Sequence, residues 1–438
     1  MSSEDFSLVP YPINELTRDE IIQFCSSYSV VCVLDSCTDA HKDQNPVKGK
    51  YDLLIGAGVA EQIPNDDITT VEQFIQKSLQ EGKWVFGHFS YSIKDKIENL
   101  SSRFLDQSGF PEWYFFQPEI ILAIKDSTLF IGCQSSKSSD EIYHDLVKTE
   151  KLPEQFISGF SLQPSIGEKE YMENASHLIE NINYGNIYEV NYCMQFLSYG
   201  SDIAPLATYF EQRKKSPAPF SSYYKINQSH LLCSSPERFL CKRGNKVYSQ
   251  PIKGTRKRVN EPKEDSELKL ELQMDEKERS ENVMIVDLVR NDLSKNALKG
   301  TVETEELFGV YSFQHVHQMI STVSAEVDHQ CSSLKIILDA FPMGSMTGAP
   351  KYKAMQLIDQ YENFNRGIYS GSVGYFDPNG DFDFNVVIRS LVYNHENKLI
   401  SLMAGSALTS KCNPETEYQE CLLKAKALMQ NQTKGPIE

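Results

Sequence analysis

No two cysteines in this sequence are spaced as Cys-x-x-Cys, and the ten present are scattered over 438 residues rather than packed at disulfide-framework density. Reduced thiols in a cytosolic protein are the expectation. Long apolar runs are also missing. The longest, such as Ile120-Ile121-Leu122-Ala123-Ile124, are strand-sized, so no membrane span is expected. The start, Met1-Ser2-Ser3-Glu4-Asp5, has no apolar signal core, which leads us to expect a protein that stays where it is made. Nor is there a positive excess. A formal charge of −17 argues against nucleic acid or an anionic membrane as partner, so an anionic ligand would need basic groups concentrated locally. What is there, 40% hydrophobic residues with both charge signs plentiful, describes a soluble globular chain of one large or two ordinary domains.

Along the first third, Asp19 to Ser26 reads as a helix. Val30 to Leu34, Trp84 to Tyr91 and Leu129 to Gly132 read as strands. Tyr51 to Gly58 leads a strand into Gly-x-Gly, but Glu61 stands where a third glycine would open a helix. A closely packed strand and turn is expected there, not a dinucleotide site. Polar Ser135 to Asp140 and Pro153 to Glu170 read as linkers. Beyond them come a helix over Tyr171 to Asn183 and a strand over Tyr188 to Phe196. Asp265 to Leu293 reads as one long helix, and Tyr369 to Ser406 as a β-meander.

The chemistry concentrates around Gln250-Pro251-Ile252-Lys253-Gly254-Thr255-Arg256-Lys257-Arg258. Pro251 ends a ladder and Gly254 gives the backbone freedom, which places Lys253 in a turn. The stretch is either a solvated basic turn or the seat of a nucleophilic lysine. In the second case its pKa must be lowered, by burial or by Arg256, Lys257 and Arg258. Glu237 ends a strand sixteen positions earlier, one hairpin away, and forms with Lys253 an acid/base pair or an ordinary salt bridge.

Two Glu-x-x-Glu pairs, Glu278/Glu281 and Glu417/Glu420, each present both carboxylates on one helix face beside a buried segment. They are solvated acidic faces or, together, oxygen ligands for Mg²⁺. Gly344 to Lys351 is a glycine turn entering a helix at Pro350, without the spacing of a phosphate loop. Arg389, in a core-like strand, requires an anionic partner: a ligand carboxylate or a protein one.

Taken in order, these segments resemble the chorismate-utilising enzymes from about Ser161 to Lys426. The motifs are Pro251-Ile252-Lys253-Gly254-Thr255-Arg256, Glu278-Arg279-Ser280-Glu281-Asn282 through Leu293, Gly348-Ala349-Pro350-Lys351 and Glu417-Tyr418-Gln419-Glu420. Gly87-His88-Phe89-Ser90-Tyr91 is a looser match. The resemblance implies an α+β, anthranilate-synthase-like fold of two lobes, with two packed antiparallel sheets flanked by helices around a central cleft. Residues 1–160 would contribute to the two-lobe fold and 161–430 would form the chorismate-binding catalytic domain.

Within the family the chain is most similar to aminodeoxychorismate synthase component I, because anthranilate synthases usually carry alanine where Lys253 stands. That similarity implies attack of Lys253 on ring carbon C2 and protonation of the departing C4 hydroxyl by Glu237, followed by addition of ammonia at C4. It matches Mg²⁺ to Glu281 and Glu420, with Glu278 and Glu417 behind them through water. It also puts Gly254, Thr255, Tyr369, Arg389, Lys424 and the Ala404-Gly405-Ser406 backbone at the substrate. With no Gly-x-Cys-x-Gly elbow, ammonia is expected from a separate glutamine amidotransferase subunit or from solution. Anthranilate synthase component I and a non-catalytic chorismate-binding subunit are the alternatives. Two positions depart from the pattern. Glu189 occupies the place of the lysine base in members that add water, where ammonia-using members more often have glutamine. Gln318 stands where many members have histidine, and its neighbour His317 is expected to be a buried, hydrogen-bonded residue.

Overall fold

The computed structural model describes residues 8–13, 16–37, 49–64, 67–134, 137–149 and 159–429. Ser135, Ser136 and the stretch 153–158 of the two expected linkers lie outside the described residues. Among the described residues, β-branched and aromatic runs build two antiparallel sheets, of 12 and 10 strands. The first runs Val9–Pro12, Thr128–Cys133, Ile120–Lys125, Leu53–Ala57, Val30–Asp35, Phe220–Ile226, Ser229–Ser235, Ser390–Asn394, Leu399–Leu408, Glu189–Ser198, Gly348–Ala349, with the short Gln163–Pro164 also paired to Glu189–Ser198. The second runs Ile252–Lys257, Val316–Glu326, Lys246–Gln250, Arg238–Arg243, Phe382–Asn385, Ser372–Phe376, Val85–Phe89, Trp113–Gln117, Glu61–Pro64, with Glu303–Ser312 also paired to Val316–Glu326. N-terminal strands enter both: Val33 pairs with Tyr223, and Gly87 with Gly374.

The sheets pack face to face through Cys32, Leu54, Tyr224 and Leu231 of one and Phe86, Phe116, Val373 and Tyr375 of the other. Gly56 is needed at this interface, since a Cβ there would lie 2.7 Å from the Phe86 ring. The Gly-x-Gly of Tyr51 to Gly58 is therefore a packing feature, and a strand, Glu61–Pro64, follows it. Helices such as Glu168–Asn183 and Pro414–Met429 cover the outer face of the first sheet, and Ile68–Gln80 and Glu276–Ser294 that of the second. The two-sheet α+β architecture expected from the sequence is the one found. Among the described residues no helix is long and apolar enough to cross a membrane.

Three local expectations are corrected. Tyr369 to Ser406 is not one meander but two hairpins in different sheets. Ser372–Phe376 pairs with Phe382–Asn385 in the second sheet, and Ser390–Asn394 with Leu399–Leu408 in the first. Asp265 to Leu293 is two helices, Pro262–Met274 and Glu276–Ser294, because Asp275 leaves the helical conformation and its side chain caps the second by accepting from the Glu278 N–H at 3.0 Å. The linker at Ser135 to Asp140 ends early, in the helix Ser139–Val147, whose Ser138 and Glu141 form a reciprocal capping box.

Candidate active site

Where the sheets' ends meet the helices Glu276–Ser294 and Pro414–Met429, a cleft of about 710 Å³ opens, lined by residues from both sheets. Lys253 reaches it from a strand, not the turn expected. After Pro251 the chain pairs again with Val316–Glu326, Ile252 opposite Ile320, and the register slips before Thr255. Gly254 makes this bulge possible. Its φ is +88°, and a Cβ would meet Leu272 at 2.9 Å and Glu278 at 3.1 Å.

The Lys253 ammonium contacts Glu189 Oε1 at 2.5 Å, with 11% of the lysine side chain exposed. Burial pulls its pKa down, but Glu189, Glu281 and Glu237 outweigh burial and hold it above the usual lysine range. The lowered pKa expected from neighbouring cations is thus overturned. Arg256 is taken up by Asp275 (2.6 Å), Glu271 (3.4 Å) and Glu278 (3.4 Å), and Arg258 by Asp265 (2.9 Å).

Glu237 lies just ahead of the strand Arg238–Arg243 and lines the same cleft. Burial pushes its carboxyl up to about 7, with Ser345 and then Lys253 pulling the other way. Glu278, Glu281, Glu417 and Glu420 also line the cleft, so the two helical pairs converge. Glu281, 8% exposed, is raised to about 7 by burial. Burial also raises Glu420, but Lys424, Lys277 and Lys253 more than offset it, and its Oε1 lies 2.6 Å from Lys424 Nζ. Among the described residues no three carboxylate, histidine or cysteine side chains stand close enough to form a ready-made metal cage.

Arg389 does not lie within a strand. It sits where the chain crosses from Phe382–Asn385 in one sheet to Ser390–Asn394 in the other, with φ +51°. Among the described residues no carboxylate lies within 4.0 Å of it, so a protein partner is ruled out there. Burial lowers the pKa of its guanidinium, against opposing pulls from Tyr369 and Glu420. Tyr369, Thr255, Ala404, Gly405 and Lys424 line the cleft with it, and Lys424 Nζ donates to Gly405 O at 2.8 Å. The side chain of Ser406 is turned away, its hydroxyl 3.1 Å from Tyr171 OH on the face of Leu399–Leu408 that packs against Glu168–Asn183.

His317 is buried between Asp265 (3.0 Å) and Ser312 (2.9 Å), outside the cleft lining, as expected of a hydrogen-bonded histidine. Lys351 is also structural, its Nζ bonded to Asp292 at 2.7 Å and Ala340 O at 2.8 Å. Several lining residues were not foreseen, Asn191 and Lys277 among them. Asn191 shares an alternation with Glu189 that the strand pattern contained, and Lys277 stands four before Glu281, 3.9 Å from it.

A profile of the chorismate-binding enzymes matches residues 36–430. The chain is 38% identical over 291 residues to an Arabidopsis thaliana protein named aminodeoxychorismate synthase, chloroplastic; the match covers 64% of this chain and 31% of that protein. It is 31% identical over 352 residues to aminodeoxychorismate synthase component 1 of Escherichia coli K12, covering 78% and 75%. To anthranilate synthase component 1 of Thermus thermophilus it is 31% identical over 355 residues, covering 79% and 76%. The chain spans about a third of the length of the plant and Streptomyces griseus relatives. Among solved structures, anthranilate synthase component I of Streptococcus pneumoniae superposes with TM-score 0.75 at 22% identity, over 88% of this chain and 93% of that one. The menaquinone-specific isochorismate synthase of Escherichia coli superposes with 0.78 at 16%, over 98% and 94%; these two establish the fold alone. With nine-tenths of its sequence inside the profile and the fold shared, the chain belongs to the family of chorismate-binding enzymes.

Proposed function

We propose that the chain aminates chorismate to 4-amino-4-deoxychorismate, a step toward 4-aminobenzoate and folate, with ammonia supplied by a glutamine amidotransferase subunit or by solution. The observation that carries this reading is a half-buried lysine, Lys253, lining one cleft with a carboxyl whose pKa burial raises to about 7, Glu237, and an unpaired guanidinium, Arg389. Relatives named aminodeoxychorismate synthase at 38% and 31% identity support it.

In this reading Arg389 and Lys424 receive substrate carboxylates. The Lys253 amine bonds to ring C2 as the C4–O bond breaks, and Glu237 gives its proton to the departing hydroxyl, which leaves as water. Ammonia then bonds to C4 and Lys253 leaves C2 with the bonding pair. Two displacements through an amine adduct replace one displacement of hydroxide, and a carboxyl still about half protonated near pH 7 is suited to assist the first.

Glu281 and Glu420, with Glu278 and Glu417 behind them, suit a hard divalent cation. All are oxygen donors, Glu281 is buried with its charge poorly compensated, and Mg²⁺ needs only one or two carboxylates besides water and substrate oxygens. When bound there, Mg²⁺ supplies charge neutralisation for the ring carboxylate. Calorimetric titration of Mg²⁺ into the protein should show affinity falling by about tenfold or more in Glu281→Gln. Equal affinity would remove Glu281 from the site.

Glu237 sets a pH limb. Its donated proton is present below about pH 7 and lost above it, so turnover should decline as pH rises through that value. Glu237→Gln should cost about 10²- to 10⁴-fold and erase the limb, read from initial rates across pH.

Incubation with chorismate, ammonium and Mg²⁺ should yield 4-amino-4-deoxychorismate; anthranilate and pyruvate as main products would overturn the assignment. Anthranilate synthesis is the second reading, favoured by the Thermus relative and opposed by Lys253. A purely binding role is opposed by the presence of Lys253, Glu237 and all four glutamates in one cleft.

A further inference from the structure

An amine that attacks carbon must first lose its extra proton, and Lys253 is held as an ammonium ion. Among the described residues the carboxylate touching its Nζ is that of Glu189, at 2.5 Å. Glu189 belongs to Glu189–Ser198 of the 12-stranded sheet and Lys253 to the edge strand Ile252–Lys257 of the 10-stranded one, so the contact spans the two sheets. Glu189 is 1% exposed, and its other oxygen, Oε2, is buried without a hydrogen-bond partner. An anion with one unsatisfied oxygen is poorly solvated, and a proton arriving from Lys253 removes two buried charges at once.

The other groups facing this pair are otherwise engaged. Glu237 serves the leaving hydroxyl, Glu281 and Glu420 act on Lys253 through space without touching it, Glu281 is also the acid facing Glu189, and Arg256 is ion-paired elsewhere. From Val316–Glu326, Gln318 does not titrate and His317 is bonded to Asp265 and Ser312.

Resting on the amination reading, we propose that Glu189 is the proton acceptor that turns Lys253 into a nucleophile. One proton passes from Lys253 Nζ to the Glu189 carboxylate. The freed lone pair forms the N–C2 bond, giving a secondary ammonium adduct. When ammonia adds at C4 and the C2–N bond breaks, its electron pair returns to nitrogen as a neutral amine, which takes its proton back from Glu189. Ammonium supplies the proton that regenerates Glu237, so chorismate and ammonium become aminated product and water.

The test uses Glu189→Gln and Glu189→Asp in the full chain, with single-turnover product formation followed from pH 6.5 to 8.5. Wild type and variants share the Glu237 limb and the ammonia supply, so the ratio of their rates isolates Lys253. The Gln variant must wait for solvent to take the proton. Its deficit should be about 100-fold or more at pH 6.5 and narrow by roughly tenfold per pH unit. Glu189→Asp should keep a pH-independent ratio. A deficit in the Gln variant that stays constant with pH, as a merely structural role would give, overturns the proposal, and so does the absence of any deficit. A second readout needs no turnover. With trinitrobenzenesulfonate at pH 7.5, followed by peptide mass analysis, Lys253 should be modified about tenfold more slowly in Glu189→Gln than in wild type, and equal rates overturn the proposal. Should wild type make no aminated product, the amination reading fails by itself, while the labelling rates still decide whether Glu189 takes the proton of Lys253.

Discussion

Lys253→Ala is expected to abolish amination, lowering the rate by roughly a thousandfold or more, about 4 kcal/mol of transition-state stabilisation. In wild type quenched during turnover, the peptide containing Lys253 should carry the mass of chorismate less one water, and the variant should carry none. The lost ammonium also leaves Glu189 buried without a counter-charge, which costs about 3–5 kcal/mol of stability. Loss of activity alone would therefore be ambiguous between chemistry and folding. The double variant Lys253→Ala/Glu189→Gln separates them, since it should recover most of the melting temperature while remaining inactive. An unchanged rate in Lys253→Ala would remove this lysine from the reaction and leave family membership untouched.

The order of motifs along the chain was sufficient to anticipate the architecture and the convergence of Lys253, Glu237, four glutamates and Arg389 on one cleft. Local pattern failed where the answer depended on pairing at a distance. Phe382–Asn385 and Ser390–Asn394 are both buried throughout, so alternation cannot tell that four intervening residues carry the chain from one sheet to the other. Pro251 and Gly254 are breakers, and on local pattern they place Lys253 in a turn. The ladder resumes because the partner strand Val316–Glu326 is long enough to hold both segments, and the glycine becomes a bulge. The contact of Glu189 with Lys253 joins residues 64 positions apart on different sheets, and no periodicity encodes it. Two misplaced helix starts are a different matter. Asp275 with Glu278 and Ser138 with Glu141 are capping patterns present in the sequence, and reading them would have split the long helix and shortened the linker.

Arg389→Met should weaken substrate binding while making the fold more stable. A half-buried guanidinium without an ion-pair partner among the described residues is a net cost to the free protein, and desolvation already lowers its pKa. Methionine fills similar space without the charge and keeps the crossover between the sheets packed, so the melting temperature should rise by a few degrees. The same change removes the cation that receives a substrate carboxylate. Loss of a buried charge-assisted contact of this kind costs about 2–5 kcal/mol, so KM for chorismate should rise by roughly 30-fold to several thousandfold. Arg389→Lys keeps the charge but not the bidentate fork, and should fall between the two in KM. Differential scanning calorimetry and initial-rate kinetics on one preparation measure both quantities. A lower melting temperature with unchanged KM would mean that Arg389 supports the fold and not the substrate. Opposite movement of stability and affinity is what a site held in waiting for an anion requires, because the binding energy released by chorismate includes the relief of a charge that the folded chain leaves without an ion-pair partner among the described residues.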